Sequence, residues 1–136
     1  MIRKAEEFHG HLGPFLVIGV RMGITISKLL GADVKRAALE ILINVPLVAP
    51  FSCVIDGIQV TTQCTIGNRK LKAENSTNEI VAQAKIQGTS ATIKIMVNEE
   101  IIKMLNGRIS EGVTNETLAR EIALLPETQL FFIERR

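Results

Sequence analysis

Two histidines, two cysteines and one aspartate carry most of the chemistry this sequence can offer. His9 and His11, the only histidines, flank Gly10 just ahead of Pro14. Imidazole is the commonest metal ligand and can also move protons near neutral pH. Gly10 permits the sharp bend that would turn both rings toward one centre. Two ligands do not make a site, so further donors must come from elsewhere in the chain. Cys53 and Cys64 are the other soft donors, eleven residues apart. One unbroken helix would hold them ~16 Å apart at ~1.5 Å per residue. That is too far to share a zinc ion, which takes thiolates at ~2.3 Å, or to form a disulfide. A single metal therefore uses one of them, unless Cys53 folds back from a preceding loop. Near a helix N-terminus, Cys53 is expected to have a depressed pKa. Burial as an ordinary core cysteine is the competing role for either thiol.

Asp56 and Gln59 follow Cys53 by three and six residues, so on a helix they project roughly toward its side. Asp56 is a possible ligand or general base, and equally a helix N-cap. His9 and Asp56 are the two candidates for acid–base work. The segment Cys64-Thr65-Ile66-Gly67-Asn68-Arg69-Lys70 is a polar turn with backbone donors around Gly67 and two cations. Such a loop suits an anionic group, although its pattern is not that of a Walker loop.

The elements that must position these residues can be read from periodicity and punctuation. After a short N-terminal helix, Pro14 suits a first helical turn, and Gly31 ends a helix running to about Leu30. Arg21, Thr25 and Lys28 form one polar stripe on it, leaving the remaining faces apolar, and Gly19 and Gly23 admit a close neighbour. Ala37 to Val45 reads as a strand with Leu39, Ile41, Ile43 and Val45 on one face. A short helix starts near Ser52 or Asp56 and ends near Cys64. Glu79 to Ile86 and Thr89 to Val97 form a hairpin turning at Gln87-Gly88. Asn98 caps a helix ending at Asn106-Gly107, Thr114 caps another to Leu125, and Leu130 to Ile133 makes a last short strand. The expected class is α+β, a mostly antiparallel sheet packed with helices, in one domain spanning residues 1–136.

Bulk properties exclude several functions. At 136 residues the chain can build a core without staples, and its 46% hydrophobic and 22% charged composition is that of a folded protein. With five Phe and no Trp or Tyr, aliphatic residues must fill that core. A net charge of +2, with scattered basic residues and no interleaved aromatics, argues against nucleic acid as a partner. The longest apolar stretch, Phe15 to Leu30, contains Arg21 and Lys28 and is too short to span a bilayer. The opening residues lack the apolar region of an export signal, so the cytoplasm, with reduced thiols, is the expected compartment.

Three segments together resemble one known family. Phe8-His9-Gly10-His11-Leu12-Gly13-Pro14, followed by Ile18-Gly19-Val20-Arg21-Met22-Gly23, is similar to the HGHLCPG-plus-helix opening of the FmdE family of formylmethanofuran dehydrogenase subunits. Asp56-Gly57-Ile58-Gln59-Val60 resembles that family's DAIQ segment, and Gln63 to Leu71 its GCTxGKGNL loop. They occur in family order over roughly the first half of the chain. The resemblance implies an α+β domain that often dimerises, binds a metal (usually zinc) and is associated with the archaeal formylmethanofuran dehydrogenase system of one-carbon metabolism. Carried over by position, His9, His11, Cys53 and Cys64 are the metal ligands. Gln59, Thr65, Gly67, Asn68 and Arg69 line the same cleft as ligand-binding residues. Two departures stand out. Gly13 occupies the place of a motif cysteine, and no cysteine follows Cys64, so these 136 residues do not include the zinc ribbon of longer members.

Three readings follow. In the first, the chain is an FmdE-like protein holding zinc or another divalent transition metal, a homodimer that works beside other formylmethanofuran dehydrogenase subunits. In the second, it is a non-catalytic binding module for a small anionic or pterin-like ligand, its metal site lost with the motif cysteine that Gly13 replaces. In the third, Cys53 and Cys64 form a redox pair, although their spacing lacks the C-x-x-C geometry that tunes such pairs.

Overall fold

A computed structural model describes residues 1–31 and 38–136. Helix α1 (Ile2–His9) is followed by α2 (Pro14–Leu30), strand β1 (Leu39–Val45), α3 (Cys53–Thr62) and β2 (Leu71–Asn75). Then come β3 (Val81–Ile86), β4 (Thr92–Val97), α4 (Glu99–Ser110), α5 (Asn115–Leu124), the single turn α6 (Glu127–Leu130) and β5 (Phe131–Arg135). The strands form one sheet in the order β2-β1-β3-β4-β5, with β1 and β2 parallel and every other pair antiparallel. The architecture is α+β with a mostly antiparallel sheet, as the sequence pattern indicates.

Alternation sets the core. Leu39, Ile41, Ile43 and Val45 of β1 lie beside Ala82 and Ala84 of β3 and Ile93, Ile95 and Val97 of β4, all buried. Phe15, Ile18, Met22 and Ile26 of α2, Val54 and Ile58 of α3, and Leu118 and Ile122 of α5 join the same cluster. At ~25 cal/mol per Å² of apolar surface removed from water, this burial dominates the folding energy.

The crossing of α2 and α3 is what places the chemistry. A methyl group on Gly19 would overlap the Val54 carbonyl, one on Gly57 would overlap Leu16, and one on Gly23 would overlap the Thr61 side chain. Hydrogen atoms at Gly19 and Gly57 let the two backbones touch, and the one at Gly23 makes room for Thr61. Gly19 and Gly23 thus serve an intrachain contact, and the apolar helix that carries them is buried here against α3. The Arg21-Thr25-Lys28 stripe faces α5 and α6. Arg21 Nη1 donates to the carbonyls of Ile122 (2.9 Å) and Leu125, and Thr25 Oγ1 donates to Glu127 Oε1 at 3.0 Å. Burial lowers the Arg21 pKa, and Glu127 opposes that shift. Arg21 thereby fastens the C-terminal end of α5 to the middle of α2.

Several boundaries differ from expectation; the hairpin strands, for example, start at Val81 and Thr92 rather than at Glu79 and Thr89. α4 continues through Gly107 to Ser110, because the Ile102 and Leu105 face packs on the core and glycine there meets nothing. Strand β2, with only Leu71 buried, carries almost no apolar alternation and is formed by its parallel pairing with β1. The last strand starts at Phe131, preceded by the α6 turn. The expected start of β1 at Ala37 lies outside the described residues.

Candidate metal centre

Helix α1 ends in a left-handed turn. Gly10 has φ +100° and donates its N–H to Glu6 O at 2.8 Å. A side chain would be strained there, and without that turn the chain could not fold back. His11 consequently returns against His9, the ring centroids 4.5 Å apart. Gly13 is extended and Pro14 opens α2, so His9 ends one helix and His11 lies on the short bridge to the next. The α2–α3 crossing brings up the third donor. Cys53 is the first residue of α3, its N–H bonded to Pro50 O, and Phe15 packs edge-on against Phe51 beside it at 5.1 Å.

The ligand atoms of His9, His11 and Cys53 all lie within 4.8 Å of one another. A tetrahedral cation at ~2.0–2.3 Å from each donor sets them ~3.3–3.8 Å apart, so small torsional changes would close the group around one ion. His9 Nδ1 is 2.6 Å from Asp56 Oδ2, one helical turn beyond Cys53. A carboxylate only accepts, so Nδ1 carries the proton of this bond, and in the neutral ring the lone pair is on Nε2. His9 Nε2 is buried without any hydrogen-bond partner. Leaving a buried acceptor unsatisfied costs about 1–3 kcal/mol, a cost that a bound cation would remove. The donor set, the carboxylate behind it and the orphaned nitrogen all fit a divalent transition metal.

The chain runs on from Asp56 through Gln59. Gln59 Nε2 donates to Asp56 Oδ1 at 3.1 Å, and Gln59 Oε1 accepts the Ile66 N–H at 2.9 Å. Asp56 is therefore not the cap of α3; that position belongs to Ser52. Cys53 also departs from expectation. Burial, reinforced by the Asp56 carboxylate, pushes its thiol pKa up, outweighing the lowering by its backbone hydrogen bond.

Cys64 does not join the group. It is fully buried past the end of α3, its thiol donating to Leu39 O on β1 at 3.4 Å, and no disulfide links it to Cys53. The Thr65–Lys70 loop closes on itself. Asn68 Oδ1 accepts from the N–H groups of Thr65 and Lys70, Asn68 N–H donates to Thr65 Oγ1, and Asn68 Nδ2 donates to Gln63 O. The Ile66 N–H is held by Gln59, so most backbone donors expected to cradle an anion already have partners. Gly67 and Arg69 are exposed on this loop, Arg69 with φ +65°. Sequence reasoning did not single out Asn115, which lines a small cavity with His11, Gly13, Pro50 and Cys53. A lone asparagine at a helix start reads as capping chemistry, and its neighbours lie far earlier in the chain. Larger open depressions occur elsewhere, one of about 490 Å³ between Asn44 and Glu99. Among the described residues only His9, His11 and Cys53 gather as a possible metal-ligating group.

No described helix is long and apolar enough to cross a membrane. Comparison with known proteins agrees with the fold and the motifs. A probable S-adenosyl-L-methionine-binding protein of Archaeoglobus fulgidus is 38% identical over 71 residues, 52% of this chain but only 19% of that protein. The chain thus matches about a fifth of that relative's length. The crystal structure of a tungsten formylmethanofuran dehydrogenase FmdE-like protein from Syntrophus aciditrophicus superposes with a TM-score of 0.70 at 17% identity. That match covers 99% of this chain and 69% of the other, a likeness of fold. The family model described as FmdE, Molybdenum formylmethanofuran dehydrogenase operon, matches residues 8–131, and the chain belongs to the FmdE family.

Proposed function

We propose that this chain is a metal-binding FmdE domain in which His9, His11 and Cys53 hold a divalent transition metal, zinc by the chemistry of the donors. The observation that carries the reading is the buried, unpartnered Nε2 of His9 beside two further donors. Three protein donors leave one position for an outside ligand, the pattern of zinc sites that do chemistry rather than only hold a fold. Bound there, the cation would supply Lewis acidity to whatever small molecule reaches it. Asp56 would orient His9 and raise its basicity, and the pairing of α2 with α3 would fix the spacing of the donors. Cys64 is left out of the ligand set on the strength of its core position.

Family membership supports an accessory role for this domain alongside formylmethanofuran dehydrogenase, in one-carbon metabolism within a cytoplasm. Residues 1–136 would act as one domain. Pairing with a second copy rests on the family resemblance alone, since Gly19 and Gly23 face α3; light scattering of the purified protein measures it directly.

The deciding experiment is elemental analysis of purified, tag-free protein beside His11→Ala and Cys53→Ala variants. Near-stoichiometric metal that is lost in both variants supports the site. Metal absent from the parent protein after exposure to excess zinc would remove it.

A further inference from the structure

We propose that Asn115 is a positioning residue of this centre, holding a water-sized polar molecule in the space that Gly13 leaves open. The cavity beside His11 and Cys53 measures about 30 Å³. One water needs ~10–15 Å³ together with two to four polar partners, so the space admits a single water or one end of a small ligand. Its size depends on Gly13. A β-carbon there would stand 3.8 Å from His11 Nε2 and 3.9 Å from Cβ and Cγ of Asn115. The imidazole and the carboxamide thus both lie beside a bare α-carbon, and Cys53 lines the same cavity.

Asn115 is held in place from both ends of its helix. At the start of α5, Thr114 accepts the Thr117 N–H. At its far end Arg21 binds the Ile122 carbonyl at 2.9 Å. Asn115 is exposed, and among the described residues its carboxamide, with two donors and an acceptor, bonds to no other protein group. An amide can therefore donate to an anion or accept from water in the cavity, which a thiol or an aliphatic side chain could not do equally well. The occupant would be a molecule of water's size, or a small anion that displaces it.

This inference rests on the metal reading, and the test separates the two. Cobalt(II) is loaded into the parent protein and into Asn115→Ala and Gly13→Ala variants, and azide is titrated while the cobalt absorption bands are followed. Asn115 is exposed and Gly13 has extended backbone, so neither substitution strains the chain. All three proteins should take up one cobalt with a thiolate charge-transfer band. Azide should bind about tenfold more weakly to Asn115→Ala, the loss expected for one hydrogen bond to a charged group. Gly13→Ala should weaken it similarly by filling the cavity. Equal azide affinity in Asn115→Ala and the parent overturns the role of Asn115, as does loss of cobalt from that variant, which would make it a ligand or a structural residue. Unchanged affinity in Gly13→Ala overturns the cavity. Failure of the parent protein to bind cobalt removes the metal reading and this inference with it.

Discussion

His9 Nδ1 and Asp56 Oδ2 are 2.6 Å apart, although 47 residues separate them in sequence. The pair joins the C-terminal end of α1 to the first turn of α3, and it decides which nitrogen of His9 is left to ligate. A carboxylate behind a ligating histidine fixes its tautomer and makes it a better donor, and losing it typically weakens metal affinity about 10–100-fold. Asp56→Ala should show a loss of that size in competition with a chromogenic chelator. Asp56→Asn, which can still accept from Nδ1–H, should fall in between. Equal affinities across the three proteins would detach Asp56 from the site.

The two cysteines should behave oppositely. Cys53→Ser should reduce metal content with little change in unfolding midpoint, because the residue is half-buried at a helix start. Cys64→Ser should retain metal and lose about 1–3 kcal/mol of stability, since it disturbs a fully buried thiol bonded to Leu39 O. Elemental analysis and urea denaturation of the two variants check this together. Metal loss on Cys64→Ser with unchanged stability would overturn the assignment.

Much of this arrangement was legible in the sequence. Pro14 and Gly31 bound α2 at the residues where it begins and ends, and the alternation of Leu39 to Val45 matches the buried face of β1. The eleven-residue spacing of the cysteines already forbade a shared ion along one helix, and one of them is indeed elsewhere. What could not be read are contacts made by shape or at a distance. Nothing local marks β2 as a strand, because Leu71 to Asn75 is stabilised by its parallel neighbour. The rise in the Cys53 pKa depends on burial and on the Asp56 charge, both products of tertiary packing. Asn115 reaches the centre because α5 packs on the core through Leu118 and Ile122, with Arg21 of α2 bonded to its last turn.

Glycine substitutions separate packing from helix propensity. Gly57→Ala puts a methyl group into the backbone of α2, and overpacking of this kind costs about 1–3 kcal/mol. Because the same crossing sets the distance between Cys53 and the histidines, its metal affinity should fall as well. Gly107→Ala lies inside α4 with nothing within 4 Å, so it should stabilise by about 0.5–1 kcal/mol and leave metal binding alone. Chemical denaturation of both variants tests the contrast. A neutral Gly57→Ala would mean that the α2–α3 contact is looser than its backbone approach indicates.

Gln59 ties Asp56 to the Ile66 N–H. Gln59→Leu keeps the helix and the volume but removes a donor from Asp56 and an acceptor from the loop. Asp56 would keep its bond to His9, so metal affinity should drop several-fold, less than in Asp56→Ala. Amide exchange at Ile66 should accelerate at the same time. Asn68→Ala gives the complementary result. It removes the acceptor for the Thr65 and Lys70 N–H groups without touching Asp56, so the loop should exchange faster while metal affinity stays at the parent value. Exchange measured by mass spectrometry, alongside chelator competition, reads both quantities in one set of samples. If Asn68→Ala weakened metal binding as much as Gln59→Leu, the loop itself would be acting on the centre, and Gln59 would be only one of several routes to it.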